Sequence, residues 1–207
     1  YYPNYFPFNL NFIQPGTCSI YITDANGTTS ETLDIDIEYL PITLKDDSLT
    51  LRDYYPTIQD AIDNAFIGDV ITVCDGTYEE TIDINVSGLT IQSQNGAAVT
   101  TIRGSGSAAS AATVRITAND VTLHGFTIDN LGADRGCVSG GNTASNVIVQ
   151  NCILTNSERG IRGEFYGTFG DGLSVLNNTF DNVTRGLTNT ENMTNMTVTG
   201  NTFDGVS

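Results

Sequence analysis

Three arginines, each followed by glycine, are the side chains best suited to recognition chemistry in this 207-residue chain: Arg135-Gly-Cys137, Arg159-Gly-Ile161 and Arg185-Gly-Leu187. Guanidiniums repeated at near-constant spacing could grip a row of carboxylates, such as those of an anionic glycan, through charge-assisted bidentate bonds. The same residues also read as structural, because Asp134, Glu158 and Asp181 lie close enough in sequence to offset their repulsion. His124 precedes a single glycine and has no acidic cluster beside it. It reads as a surface imidazole, and no residue is assigned a catalytic role.

Metal, thiol and modification chemistry leave lighter marks. Asp34 and Asp36 point to one strand face and Asp24 starts a turn, so calcium is the one ion with hard oxygen ligands on offer. No twelve-residue loop or equivalent spacing accompanies them, so no metal site and no cofactor is assigned. Four cysteines (Cys18, Cys74, Cys137, Cys152) leave three pairings open. A Cys18–Cys74 bridge would clamp two modules of an exported protein, while Cys137 and Cys152 fall in apolar columns and read as buried thiols. Six sequons occur, at Asn26, Asn85, Asn177, Asn182, Asn192 and Asn195. Their use depends on the compartment, and exposed turns such as Asn26 and Asn192 are the expected carriers of glycan.

What positions these residues is a repeat. Val121–Asn130, Val147–Asn156, Leu173–Asn182 and Met196–Gly205 overlay, with starts 26, 26 and 23 residues apart. Short β-rich pieces at that period are coils of a solenoid, which acquires its core only by stacking. Val121, Val147, Leu173 and Met196 form one interior column, and Ile128, Leu154, Phe180 and Phe203 another. Gly125, Asn151, Asn177 and Gly200 fall at a bend, followed by Phe126, Cys152, Asn178 and Asn201. Stacked Asn at such a bend can hydrogen-bond along the axis. The glycine of each Arg-Gly pair suits a positive φ or a tight corner. Upstream, the pattern continues through Ile82, Ile84, Leu89, Ile91, Val99, Ile102, Val114 and Ile116.

The segment 57–66 is the best helical signal: Thr57 as N-cap, Asp60 as its acidic partner, and Ile58, Ala61, Ile62 and Ala65 on one face. A helix there would cover the open end of the solenoid. Thr57-Ile-Gln-Asp-Ala-Ile-Asp63, Gly68-Asp-Val-Ile-Thr-Val73 and Asp75-Gly-Thr-Tyr-Glu79 together resemble the cap and first coil of the pectin lyase-like superfamily. The downstream repeats resemble its generic coils. The resemblance covers about residues 50–207 and implies an all-β, right-handed parallel β-helix with an N-terminal capping helix. It does not fix an activity, because that superfamily holds lyases, methylesterases and polygalacturonases alongside tailspikes, surface-layer proteins and adhesins. The paired catalytic Asp segments of the methylesterases have no counterpart here, and neither does the Gly-His-Gly of the polygalacturonases.

Residues 1–45 read as a separate segment. Its two alternating runs flank Asn26-Gly27 as a hairpin and resemble the last strands of an Ig-like repeat. Two strands make an incomplete domain, completed by residues upstream, by docking on the solenoid, or by strands of a neighbouring chain. The aromatic start, Tyr1 to Phe8, keeps strand exchange open. The division expected is therefore 1–45 and 46–207.

Composition bounds the partners. Lys plus Arg number 8 against 24 Asp plus Glu, a net charge of −16, which argues against nucleic acid. No run approaches the ~18 apolar residues of a membrane span. The expectation is an exported, extracellular or cell-surface structural protein that self-associates, as a surface-layer, adhesin or filament subunit. A polysaccharide-active enzyme or glycan-binding module is the alternative, and a viral tail fibre the third.

Overall fold

The computed structural model of the chain describes residues 40–104, 112–132, 136–141, 144–163, 169–188 and 193–205, together with the backbone of 16–20 and 33–37. Two compact units divide between residues 39 and 40. In the first, β1 (Gly16–Ile20) and β2 (Leu33–Ile37) pair antiparallel, Cys18 opposite Ile35. The boundary expected at 45/46 moves upstream, because β3 (Ile42–Lys45) pairs with β4 (Leu51–Tyr55) and with β5 (Val70–Val73) and buries Ile42 and Leu44 in the core of the second unit.

That second unit is a parallel β-solenoid, apart from β3. Between β4 and β5 lies α1 (Ile58–Asp63). Thr57 Oγ1 accepts from the Asp60 N–H at 3.0 Å, as the capping pattern requires, and Ile58, Ala61 and Ile62 are fully buried. Two more N-terminal amides, of Ile58 and Gln59, donate to the Glu80 carboxylate at 3.0 and 3.1 Å. The helix stops short of residue 66 because Asn64 turns out of helical geometry and its side chain takes the Asp60 carbonyl at 2.8 Å.

After β5 come β6 (Gly76–Tyr78), β7 (Ile82–Ile84), β8 (Thr90–Ser93), β9 (Thr100–Arg103), β10 (Val114–Ile116), β11 (Thr122–His124) and β12 (Thr127–Asp129). The later coils contain β13 (Val138–Gly140), β14 (Ile148–Gln150), β15 (Ile153–Gly163), β16 (Ser174–Leu176), β17 (Thr179–Thr188), β18 (Thr197–Thr199) and β19 (Thr202–Asp204). One sheet runs β18-β16-β14-β11-β8-β5-β3-β4. The other runs β6-β9-β12-β15-β13-β10-β7, with β17 on β15 and β19 on β17. Every coil-to-coil pairing is parallel and in the register of the sequence overlay: Leu123 beside Val149, Val149 beside Val175, Leu154 beside Phe180, Phe180 beside Phe203.

The interior columns fill as expected through Val121, Val147 and Leu173, through Leu123, Val149 and Val175, and through Ile128, Leu154 and Phe180, all at most 1% exposed, whereas Met196 and Phe203, expected in the same columns, are 43 and 48% exposed because no described coil packs beyond them. Val99 is a correction. It lies three residues before Ile102, an odd separation in a strand of period two, so it is 46% exposed and Thr100 takes the inward place.

Each coil turns at residues with left-handed backbone. Gly125, Asn151, Asn177 and Gly200 have φ of 79°, 54°, 53° and 71°, and Asp120, Asn146, Gly172 and Asn195 make a second such column at 58°, 56°, 83° and 55°. Asn is among the few side-chain-bearing residues that visit this region readily. The axial hydrogen bonds at the first bend come from the residue after it. Asn178, 1% exposed, accepts the Cys152 N–H at 2.9 Å and donates to the Val149 carbonyl at 2.8 Å, and Asn201 repeats both bonds one coil on, to the Asn178 N–H and the Val175 carbonyl.

Cys152 fills the same role one coil earlier. Its thiol donates towards Leu123 O at 3.9 Å and Gln150 O at 3.3 Å, and the N–H groups of Phe126 and Gly125 point at its sulfur. The expected small hydrophobe is thus also a rung of the ladder.

The Arg-Gly glycines are explained by space in two of three coils. Only Gly136 has positive φ, at 103°. A Cβ on Gly160 would lie 2.5 Å from Phe180 Cδ1 and 2.7 Å from Gly186 O, and one on Gly186 would lie 2.5 Å from Phe203 Cε1. The aromatic rings of the Phe180–Phe203 column, stacked at 4.6 Å, occupy the room a side chain would need.

Candidate functional site

Of the three arginines, Arg135 lies outside the described residues. Arg159 and Arg185 stand in direct register on β15 and β17, and one carboxylate oxygen, Glu158 Oε1, takes both guanidiniums at 3.1 Å. Two like charges one coil apart repel by about 1 kcal/mol in water-like dielectric. Glu158 between them reverses the sign, although at this exposure such a pair contributes only about 0–1 kcal/mol. Asp181, the other described acid expected to help, pairs across the sheet with Thr155 and Asp204 instead.

Glu158 also borders a shallow groove of about 580 Å³ lined by Leu131, Gly132, Asn156, Ser157, Asn182 and Thr184. Apart from Leu131 and Gly132 the lining is amide, hydroxyl and carboxylate, and most of it is already engaged. Asn182 Nδ2 donates to Asn156 Oδ1 at 2.8 Å, Asn156 Nδ2 donates to Asp129 Oδ1 at 3.0 Å, and Ser157 Oγ accepts from Asn130 at 3.1 Å.

That chain of bonds continues along the axis through residues that sequence reasoning passed over. Arg103 binds Asp129 at 3.2 Å and Glu79 at 3.0 Å, so Glu79, Arg103, Asp129, Asn156 and Asn182 form one polar ladder across five coils. A second pair, Arg115 with Asp83 at 3.0 Å, joins β10 to β7. The signal was present: Arg103 and Asp129 are 26 residues apart, one coil, and directly opposed in register.

Burial of Asp129 disfavours its charge. The Leu131 N–H, the Asn156 amide and the Arg103 guanidinium outweigh that and hold its carboxyl below the ordinary value. A depressed folded pKa means that the stabilisation is fully present above the unfolded value, about 3.9, and is lost as pH falls through the folded one. Asp129→Asn is therefore expected to be destabilising at neutral pH by urea unfolding. The gap to the parent should narrow below about pH 4, and a gap independent of pH would contradict this account.

The remaining predicted residues do not converge. His124 is half-buried on the outer face of β11, its Nε2 3.1 Å from the Asn151 amide. Burial pushes the Cys137 thiol up to about 12 and that of Cys152 up to about 11, which keeps both protonated. Cys74 is a free thiol 3.2 Å from Gln94 Oε1, and the side chain of its expected partner, Cys18, lies outside the described residues. So do Asn26, Asn192 and Asp24, and the side chains of Asp34 and Asp36. Asn85, Asn177, Asn182 and Asn195 are all exposed. Among the described residues no three His, Cys, Asp or Glu side chains come together as a metal site, and no helix is long and apolar enough to cross a membrane.

No family model matches the sequence, and no curated protein matches it. Among solved structures the chain is similar to a pectin methylesterase variant in complex with a hexasaccharide, at 18% identity and a TM-score of 0.48. The match covers 63% of this chain and 52% of that one, so the chain spans about half the length of the protein it matches.

Proposed function

We propose that the chain is a non-catalytic structural element of an exported or cell-surface assembly, with the solenoid as a polar-sided spacer. The observation that carries this reading is where the outward-facing guanidiniums go. Arg103 is held by Glu79 and Asp129, Arg115 by Asp83, and Arg159 and Arg185 by Glu158. Catalytic constellations instead leave acids, bases or guanidiniums aimed at a space where a substrate sits. Glu158 counts against uronate binding in particular, since a ligand carboxylate would have to displace a carboxylate already in place. The net charge of −16 adds long-range repulsion to any polyanion.

The rival is a carbohydrate-active solenoid with the groove beside Glu158 as its cleft. Incubation with methyl-esterified and with de-esterified polygalacturonate separates the two. The structural reading expects no methanol, no new reducing ends and no unsaturated product above a heat-denatured control. Turnover that disappears on replacing Arg159 and Arg185 by Gln would overturn it. Negative-stain microscopy of native material tests the other half, since fibres or a lattice are expected and dispersed particles are not.

A further inference from the structure

We infer that the outer face of the eight-stranded sheet, across β5, β8, β11, β14 and β16, is an attachment surface for an extended neutral polysaccharide of the β-1,4-linked class. The inference rests on the non-catalytic reading above and supplies a contact for it.

Those five strands carry no Asp, Glu, Lys or Arg in a chain of net charge −16. Each has a paired strand on both sides, so the face belongs to the middle of the sheet. Its outward side chains stand in register from coil to coil. Thr90, Thr122, Ile148 and Ser174 make one column, and Gln92, His124, Gln150 and Leu176 make the other. The acids on the turns before these strands are already occupied. Asp69 is buried against Arg52, while Asp120 and Asp171 take the Asn146 amide and the Thr194 N–H.

The contrast with the other sheet is in what the polar groups do. There they hold one another, from Glu79 through Arg103 and Asp129 to Asn182, and in Arg115 with Asp83. Here the side chains of Thr90, Thr122, Gln150 and Ser174 form no hydrogen bond within the chain. Hydroxyl and amide groups on coils about 4.8 Å apart are thus left to solvent or to a ligand.

Charge and size decide the occupant. A polyanion is repelled by the molecule as a whole. A second copy would meet a strip of roughly 24 by 10 Å, far short of the about 800 Å² per partner that a stable protein interface buries. A single glycan chain is itself a strip. In the extended β-1,4-linked form its rings advance by little more than the distance between coils. Its rim hydroxyls then reach the Thr, Ser and Gln side chains, and its C–H faces rest on Ile148 and Leu176.

The test is co-sedimentation of the full chain with microcrystalline cellulose and, in a separate arm, with chitin, at about 0.05 and 0.5 M salt. Retention on either solid is expected, and the arm that retains the chain identifies the sugar. It should be indifferent to salt, because no ion pair takes part. Thr122→Ala with Gln150→Ala should weaken it about 20-fold, the loss of two ordinary hydrogen bonds. Thr101→Ala with Thr179→Ala, outward on the other sheet, should leave it unchanged. Thr90→Ala with Ser174→Ala is the second pair, should the first fail to melt like the parent. No retention on either solid, retention lost at the higher salt, or equal losses for the two sheets overturns the inference. So does a parent that grows in mass with concentration while the Thr122→Ala, Gln150→Ala protein does not, since the face then binds a second copy. Soluble sugar released from a solid that retains the chain would sink the non-catalytic reading and support the attachment, whereas failure to bind leaves that reading standing.

Discussion

Asn178→Ala is expected to lower stability by about 2–4 kcal/mol, because it strands a buried N–H and takes a donor from a buried carbonyl. For a chain of this size that is a fall in melting temperature of roughly 4–15 °C. The groups concerned are the Cys152 N–H and the Val149 carbonyl, both served by a side chain only 1% exposed. Asn178→Cys should recover part of the loss, since Cys152 already does the equivalent work with sulfur one coil earlier, against Leu123 O and the Phe126 N–H. Asn178→Val, closer in apolar volume but without donor or acceptor, should not. Thermal or urea unfolding of the three variants checks the order, and equal losses for Cys and Val would show that packing and not the ladder is at stake.

The second large effect is steric. Gly160→Ala should cost about 3 kcal/mol, at the upper end of ordinary overpacking. Its Cβ would meet both the Phe180 ring at 2.5 Å and the Gly186 carbonyl at 2.7 Å, and the carbonyl cannot rotate away. Gly186→Ala should cost less, because its obstacle is Phe203, a ring 48% exposed and able to shift. Adding Phe180→Leu to Gly160→Ala should cost less than the two losses summed, the coupling expected of groups competing for one space. Additive losses in a double-mutant cycle would disprove the competition.

The fold was legible where the sequence repeats itself. Val121, Val147 and Leu173, or Leu123, Val149 and Val175, occupy identical places because each coil must bury the same wall, and the axial register follows without further information. Helix α1 was legible because Thr57 and Asp60 serve each other locally. Where the cause is not local, the reading failed. The Gly of Arg159-Gly-Ile161 looked like a backbone requirement, but its reason is a phenylalanine twenty residues later in the next coil. β3 looked like part of the N-terminal segment because nothing in Ile42–Lys45 says that its partners are β4 and β5.

The candidate site was half legible. Arg159, Arg185 and Glu158 were singled out, and the structure does bring them together. The ladder from Glu79 to Asn182 was missed because Glu79 and Arg103 come from the less regular early coils and the members bind through a mixture of ion pairs and amides.

The unequal coil lengths locate where this solenoid accepts change. Arg162 and Thr188 are still in register, yet Leu173 follows the first by eleven positions and Met196 follows the second by eight. The whole three-residue difference between a 26-residue and a 23-residue coil thus falls in one connector, outside the strands and the left-handed bends. An insertion within β14–Asn151–β15 would shift every later residue out of phase with its neighbours, whereas one between Thr188 and Asn195 leaves every described strand and left-handed bend in phase. One flank of the molecule is therefore free to vary in length and chemistry while the other two keep time, and a lineage of such proteins would be expected to write its differences there.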